Sequence, residues 1–279
     1  TADIQFFNDE SGNYVLAISN GYSDHNYAGG ASFYDGGTSI YKSTGGTFSY
    51  VQNLGGCGVA SSTPFEIDGT YYLAQPVRVF DSWGTGTVEG TSYIWKWDGN
   101  SFSNFQSFST KAATYFPFFD INGEKYIIVG NNYGGNVYYP VLVGINSYVY
   151  KWNGASFVQY QTLPRGSYNY FKLGESDFIT DGSKLYEWDG DSFELSTKLN
   201  PSGLNPSYWK IYNDSGVDYL LAPNSGGASK LYSYVNDKFE EMVWFDTRSA
   251  AQADRFIIDG DEYISIANGG TENGIYKMN

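Results

Sequence analysis

The chain of 279 residues carries 27 Tyr, 19 Phe, 7 Trp and 34 Gly, with only 16% charged side chains and a formal net charge of −14 from 16 basic against 30 acidic groups. That balance, with basic residues scattered singly, disfavours binding to phosphate backbones and to anionic membrane surfaces. A single cysteine, Cys57, excludes an intrachain disulfide, and no apolar run approaches the ~20 residues of a helical membrane span.

Aromatic side chains favour half-buried pleated surfaces, and glycine supplies the left-handed turns that join short strands. In chain order, the first hairpin is IQFFNDESGNYVLAI from Ile4, followed by SIYKSTGGTFSYVQ from Ser39. PFEIDGTYYLA from Pro64 and YIWKWDGNSFSNFQ from Tyr93 repeat that order, as do PFFDINGEKYIIV from Pro117 and YVYKWNGASFVQYQ from Tyr148. KLYEWDGDSFELST from Lys184 and KLYSYVNDKFEEMV from Lys230 follow, then RFIIDGDEYISIA from Arg255 and the shortened GIYKMN from Gly274.

The anchor aromatics are Tyr41, Trp95, Tyr150, Tyr186, Tyr232 and Tyr276. Phe stands seven residues on in every complete copy, at Phe48, Phe102, Phe157, Phe193 and Phe239, and Gln eleven residues on at Gln52, Gln106 and Gln161. Asp-Gly and Asn-Gly pairs between alternating runs are strong hairpin signals. Two hairpins in succession make a four-stranded meander of about 45 residues, the size of one propeller blade. The expected fold is therefore all-β, a β-propeller of six blades of four-stranded antiparallel meanders. Expected repeats cover residues 1–56, 57–110, 111–164, 165–200, 201–247 and 248–279. The last repeat stops after its third strand, which leaves two options: a three-stranded blade, or a ring closed by side-chain packing.

The pattern Y-x-W-[DN]-G-x-x-F-x-x-[FY]-Q, preceded by F-x-I-[DN]-G-x-x-Y-[LI], resembles the epilepsy-associated repeat, also called the EAR or EPTP repeat, as in leucine-rich glioma-inactivated proteins. Repeats two and three carry the match best. The resemblance implies an extracellular, non-enzymatic interaction domain, although members of this type usually carry seven repeats. A chain that opens at Thr1 reads as a processed or trimmed form, and Asn213-Asp214-Ser215 is one glycosylation sequon.

Three long connections between second and third strands, Asn20 to Thr38, Pro76 to Thr91 and Asn131 to Asn146, are expected to crowd one face. They carry Tyr22, Tyr27, Phe33, Tyr34, Phe80, Trp83, Tyr133, Tyr138 and Tyr139, rings suited to a protein or glycan ligand. The alternative is that these rings fold back over the blade edges. Asp3 and Asp254, each five residues before a first-hairpin turn at Asn8 and Asp259, are expected at matching positions. The resemblance extends this to Ca2+ in a central channel, since two carboxylates near an axis repel unless a cation intervenes.

The remaining carboxylates at the Asp-Gly turns read as turn chemistry rather than a metal loop. The lone histidine, His25, has no zinc or triad partner in sequence, and Cys57 reads as an inert thiol. No catalytic motif is present. Two other readings stand beside the interaction domain: a lectin-like or small-molecule carrier with repeated pockets between blades, and a propeller glycosidase.

Overall fold

The computed structural model describes residues 3–8, 14–19, 37–56, 58–59, 61–78, 89–135, 140–141, 144–200, 209–224, 226–247, 250–268 and 273–278. Among these there is no helix. The chain is all-β and is built of propeller blades, successive antiparallel meanders that fall into two compact units at residues 1–167 and 168–279.

Unit 1 holds three blades. The first pairs β1 (Asp3–Asn8), β2 (Tyr14–Ser19), β3 (Thr38–Thr44) and β4 (Thr47–Asn53) in that order. The second pairs β5 (Thr63–Ile67), β6 (Thr70–Gln75), β7 (Glu89–Trp97) and β8 (Phe102–Lys111). The third uses β9 (Phe118–Ile121), β10 (Glu124–Val129), β13 (Asn146–Trp152) and β14 (Phe157–Pro164). A two-residue hairpin, β11 (Gly134–Gly135) with β12 (Pro140–Val141), is inserted between β10 and β13.

Unit 2 holds the other three. β15 (Asn169–Leu173), β16 (Ser176–Thr180), β17 (Leu185–Trp188) and β18 (Phe193–Ser196) form the fourth blade. β19 (Lys210–Asp214), β20 (Val217–Ala222), β21 (Ser229–Val235) and β22 (Lys238–Phe245) form the fifth. The sixth has three strands, β23 (Ala250–Ile258), β24 (Asp261–Asn268) and β25 (Gly274–Lys277).

Register explains the repeat. In four blades the third and fourth strands slip by one residue at the anchor, between Ile40 and Tyr41, Ile94 and Trp95, Val149 and Tyr150, and Leu231 and Tyr232. Such a bulge leaves one residue unpaired and sharpens the local twist. The short fourth blade pairs Tyr186 with Leu195 and Leu185 with Ser196, without the slip. The +7 Phe lies opposite the residue two beyond the anchor, so Phe102 meets Trp97 and Phe157 meets Trp152, with ring centroids 4.9 and 5.2 Å apart.

The two kinds of Asx-Gly turn differ in physics. Between first and second strands, Asp68-Gly69, Asn122-Gly123 and Asp259-Gly260 place two successive residues at positive φ, as a tight two-residue hairpin requires. Between third and fourth strands only the glycine is left-handed, as at Gly99 (φ 96), and the carboxylate does the rest. Asp98 Oδ1 accepts from the N–H groups of Asn100 and Ser101, each at 2.8 Å, and Asn153 and Asp189 do the same one and two repeats on. Those backbone donors, Ser101 first, hold the Asp98 carboxyl below its ordinary range.

The core lies between neighbouring sheets. In unit 1, Val15, Ile40, Leu73, Trp97 and Phe102 join blades one and two, and Phe65, Tyr72, Ile94, Ile127 and Phe157 join blades two and three. In unit 2, Phe171, Phe178, Leu220 and Tyr232 join blades four and five, and Leu221, Leu231, Ala253 and Ile264 join five and six. Five blades stack a first-strand ring on a second-strand ring: Phe65 on Tyr72, Phe119 on Tyr126, Phe171 on Phe178, Tyr212 on Tyr219 and Phe256 on Tyr263, at 5.2 to 5.7 Å. Blade one has Val15 at the second position, and its Phe7 stacks on Tyr71 of the next sheet at 5.0 Å.

Candidate binding face

The second strand of each blade leaves the sheet where the third enters, and a hydroxyl three residues before the anchor marks that end. Thr38, Ser92, Ser147 and Ser229 are each fully buried. Ser92, Ser147 and Ser229 accept the N–H groups two residues beyond the second strand, from Val77, Asn131 and Asn224, at 2.9 to 3.1 Å. A buried amide without a partner costs about 1–3 kcal/mol, so each hydroxyl fixes the direction in which its loop departs.

In unit 1 the bases of the three long connections are joined to one another. Gln75, at 0% exposure the end of β6, donates to the Thr38 hydroxyl and the Gly55 carbonyl, both at 3.0 Å, linking the base of the second loop to the first. Its Oε1 accepts from Trp95 Nε1 at 2.9 Å, which holds the amide in place. The third loop is tied to the second blade in the same way. Lys111 N–H donates to Asn131 Oδ1 at 2.6 Å, and the Lys111 carbonyl accepts from Asn132 N–H at 3.0 Å. Gly134 then passes so close that a Cβ there would stand 3.1 Å from Glu89 Oε1 and 3.5 Å from Lys111 Cδ, the pair that forms an ion bridge of 3.0 Å. Asn132 also donates to the Ala112 carbonyl and the Ser167 hydroxyl, each at 3.0 Å.

Of the expected ligand-binding rings, Tyr133 lies in this stitched base, half-buried beside Asn132. Tyr22, Tyr27, Phe33, Tyr34, Phe80, Trp83, Tyr138 and Tyr139 lie outside the described residues, as do His25 and Cys57. The second connection is shorter than expected, because β7 begins at Glu89 rather than Thr91.

Asp3 and Asp254 are not at matching positions. Counting through the paired anchors, Phe6 opposes Leu16 and Leu16 opposes Tyr41, whereas Arg255 opposes Ile264 and Ile264 opposes Tyr276. Phe6 thus corresponds to Arg255, and Asp3 to Gln252. Counting from the turns failed because Asn8 pairs with Tyr14 across a five-residue connection, while Ile258 pairs with Asp261 across two. Asp3 accepts from Gln5 Nε2 at 3.0 Å and from Ser62 N–H at 3.2 Å. Asp254 faces Lys210 Nζ at 3.0 Å, and that ammonium together with the Arg255 N–H holds its carboxyl low. Among the described residues no group of three His, Cys, Asp or Glu side chains stands together as a metal site.

The role of the +11 glutamine was missed in sequence. Gln52 donates through Nε2 to the Phe102 carbonyl at 3.0 Å and accepts the Phe102 N–H through Oε1 at 2.7 Å. Gln106 makes the same pair of bonds to Phe157, at 2.8 and 2.9 Å. The side-chain amide acts as a one-residue strand, clasping the outer strand of the next blade at its +7 Phe. Recurrence of Gln at a fixed offset was the available signal; its partner, some fifty residues on, was not.

Burial pushes the Tyr115 hydroxyl up, and the neighbouring Asp3 carboxylate pushes it further, so it stays a protonated donor. Tyr150 is raised mainly by burial in the same way.

Comparison with known proteins agrees with the repeat. The EPTP domain family matches residues 101–153, a window that runs from β8 with its Gln106 through β13. A mouse (Mus musculus) protein named thrombospondin-type laminin G domain and EAR repeat-containing protein is 28% identical over 174 residues, 57% of this chain and 25% of its own length. The chain thus spans about a quarter of that relative. A crystal structure from Bacteroides fragilis, described as a candidate 6-phosphogluconolactonase, superposes with a TM-score of 0.53 at 13% identity, covering 94% of this chain and 76% of that one. At that identity the likeness is one of fold. The repeat, its blades, the EPTP match over residues 101–153 and the EAR repeat-containing relative together support a likeness of this chain to the EAR/EPTP repeat family.

Proposed function

We propose that this protein is an extracellular, non-enzymatic interaction propeller that recognises a protein or glycan through the aromatic loops of unit 1. The observation that carries the reading is the joining of the three loop bases by Gln75, Asn131 and Asn132. Hydrogen bonds of Gln75, Asn131 and Asn132 at the loop bases support this reading, because long loops on a fixed scaffold are where binding usually lives. Aromatic rings with polar tips supply contact area at low entropic cost.

The test uses the intact chain and a variant carrying Tyr27→Ala, Trp83→Ala and Tyr138→Ala, one change per loop. A glycan array and titration calorimetry against the best binders should show one ligand per chain, lost in the variant. Several equivalent ligands per chain would favour the lectin-like carrier with repeated pockets, and turnover of a glycan would favour the glycosidase. Nucleic acid and lipid vesicles, weighed against by the net charge of −14, serve as negative controls.

Calcium belongs to the same proposal in reduced form, since Asp3 and Asp254 offer one carboxylate in each unit rather than a matched pair. A calcium-dependent rise in melting temperature that disappears in Asp3→Asn supports it. A melting temperature indifferent to calcium removes it.

A further inference from the structure

Opposite the residue two before the anchor, the outer strand of four blades carries a small polar side chain. Asn53 lies opposite Ser39, Ser107 opposite Tyr93 and Thr162 opposite Tyr148. In the fourth blade the place falls to Thr197, one step beyond the pair of Leu185 with Ser196. All four residues are exposed. In the fifth blade the same place holds Trp244, opposite Lys230, and its side chain is 63% exposed. Exposure at this position is thus a property of the repeat, and only the fifth blade sets an aromatic ring there. Tryptophan is among the side chains most enriched where a protein surface binds.

Trp244 shares its side of the sheet with a polar pair. Tyr232 and Tyr234 of β21 pack with Phe171 and Phe178 between blades four and five, and strand alternation puts Lys230 on that same side. Their partners on β22, Trp244, Glu241 and Phe239, follow them, the slip beside Tyr232 taking up the uneven spacing. Lys230 Nζ donates to Glu241 Oε2 at 2.7 Å, and the two side chains are 34% and 44% exposed. Glu241 above all raises the Lys230 ammonium, which stays a charged donor. An ammonium has three N–H groups and a carboxylate about four accepting positions, so both keep capacity beyond the bond between them. The blade toward which this side looks, the fourth, has the shortest outer strand, four residues against seven, ten, eight and eight.

We propose that Trp244, Lys230 and Glu241 form a sugar-binding site on the fifth blade, in which the indole stacks on the C–H face of a neutral pyranose, Glu241 accepts from its hydroxyls and Lys230 donates to one of its oxygens. The chemistry selects among ligands. A pyranose is apolar on its faces and hydroxylated at its rim, which matches a flat ring with charged hydrogen-bonding groups along one side. The ion pair sums to zero and offers no net attraction to a polyanion, which the chain's net charge of −14 also repels. An ammonium beside the indole opposes a cationic ligand. The site lies within unit 2 and shares no residue with the unit 1 loops, so it stands or falls separately from them.

The intact chain, isotopically labelled, is titrated with the methyl glycosides of glucose, galactose, mannose and fucose while NMR follows the indole N–H signals of its seven tryptophans. At least one glycoside should move the Trp244 signal saturably, that signal being assigned by its loss in Trp244→Thr. Threonine is what the third and fourth blades carry at this place, so the variant should keep its melting temperature while affinity falls about tenfold. Glu241→Gln keeps the shape but loses the carboxylate, and should weaken binding about fivefold. The variant with Tyr27→Ala, Trp83→Ala and Tyr138→Ala should show the Trp244 response unchanged. The proposal is overturned if no glycoside moves the Trp244 signal, if Glu241→Gln binds like the parent, or if the response vanishes in the triple variant. It is also overturned if a heparin fragment moves the signal more than any neutral sugar, or if the signal shifts with protein concentration alone. The indole then serves a polyanion or a second copy of the chain.

Discussion

The two units use the same blade but join their blades differently. In unit 1 the outer strands are clasped by neutral amides, Gln52 on Phe102 and Gln106 on Phe157. Its described ion pairs Lys111–Glu89, Lys125–Asp120 and Lys151–Glu124 each lie within one sheet. In unit 2 the +11 position is Thr197 after Tyr186 and Val243 after Tyr232, and charge takes over. Lys198, beyond the fourth blade, bridges Glu187 at 2.5 Å and Asp237 of the fifth. Lys210 of the fifth blade reaches Asp254 of the sixth at 3.0 Å, and Arg255 lies 4.6 Å over the Tyr212 ring with Asp214 at 3.7 Å. The lesson concerns conditions more than strength. An amide clasp has no charge to screen or titrate, whereas an exposed ion pair weakens with salt and with acid.

The largest expected effect breaks the neutral clasp. Gln106→Leu keeps the volume but leaves the Phe157 N–H and carbonyl unpartnered beside a buried ring, at a cost of about 2–4 kcal/mol. Denaturant unfolding measures the loss, and hydrogen exchange at Phe157 N–H locates it. Gln106→Glu keeps the acceptor and should lose less. If both variants unfold like the parent, the clasp contributes nothing and the comparison collapses.

A smaller effect is expected from Lys198→Met, about 1 kcal/mol, because its partners are partly exposed. Raising sodium chloride from low to high concentration should remove most of that difference while leaving the Gln106→Leu cost unchanged. The same salt response from both variants would mean that the two joints are not chemically distinct.

The smallest effect is the pH dependence. Lys198 first, then the Tyr234 hydroxyl, hold the Asp237 carboxyl below its ordinary range, so its contribution is present above about pH 4 and fades as pH falls through the lowered value. Burial would depress the Lys198 ammonium, but hydrogen bonds to Asp237 and Glu187 outweigh it and raise it. Its contribution is therefore complete below about pH 10 and fades only as pH rises beyond that. Because Asp237 is 62% exposed at its side chain, a few tenths of a kcal/mol are at stake. Hydrogen exchange should show protection around Tyr234 falling below about pH 4 while Phe157 is unaffected. Protection that falls equally at both positions would assign acid sensitivity to the whole fold.

Much of the fold was legible because blade chemistry is local. The anchor, the +7 Phe and the Asx-Gly turns lie within one hairpin, so the four-stranded meander could be read from spacing, whereas three strands in the last blade were one of two options that spacing left open. The bulge beside the anchor was implicit in the fixed +11 offset of Gln52, Gln106 and Gln161, yet only pairing displayed it. The candidate site was less legible. The expectation that three long connections crowd one face came from their lengths, but the joining of their bases by Gln75, Asn131 and Asn132 depends on residues from different blades. Asp3 and Asp254 show the opposite hazard: an insertion in the first hairpin moved the turn, and with it a count that only strand register could correct.

Sequence alone determined the repeat unit, its six copies and the chemistry of its turns, because backbone preference and alternation act over a few residues. Tertiary structure alone decided what each blade gives its neighbour: an amide from Gln52 to Phe102 and a lysine from beyond the fourth blade to Asp237. Those partners stand tens of residues apart, and no local preference records a distance that exists only once the sheets are packed.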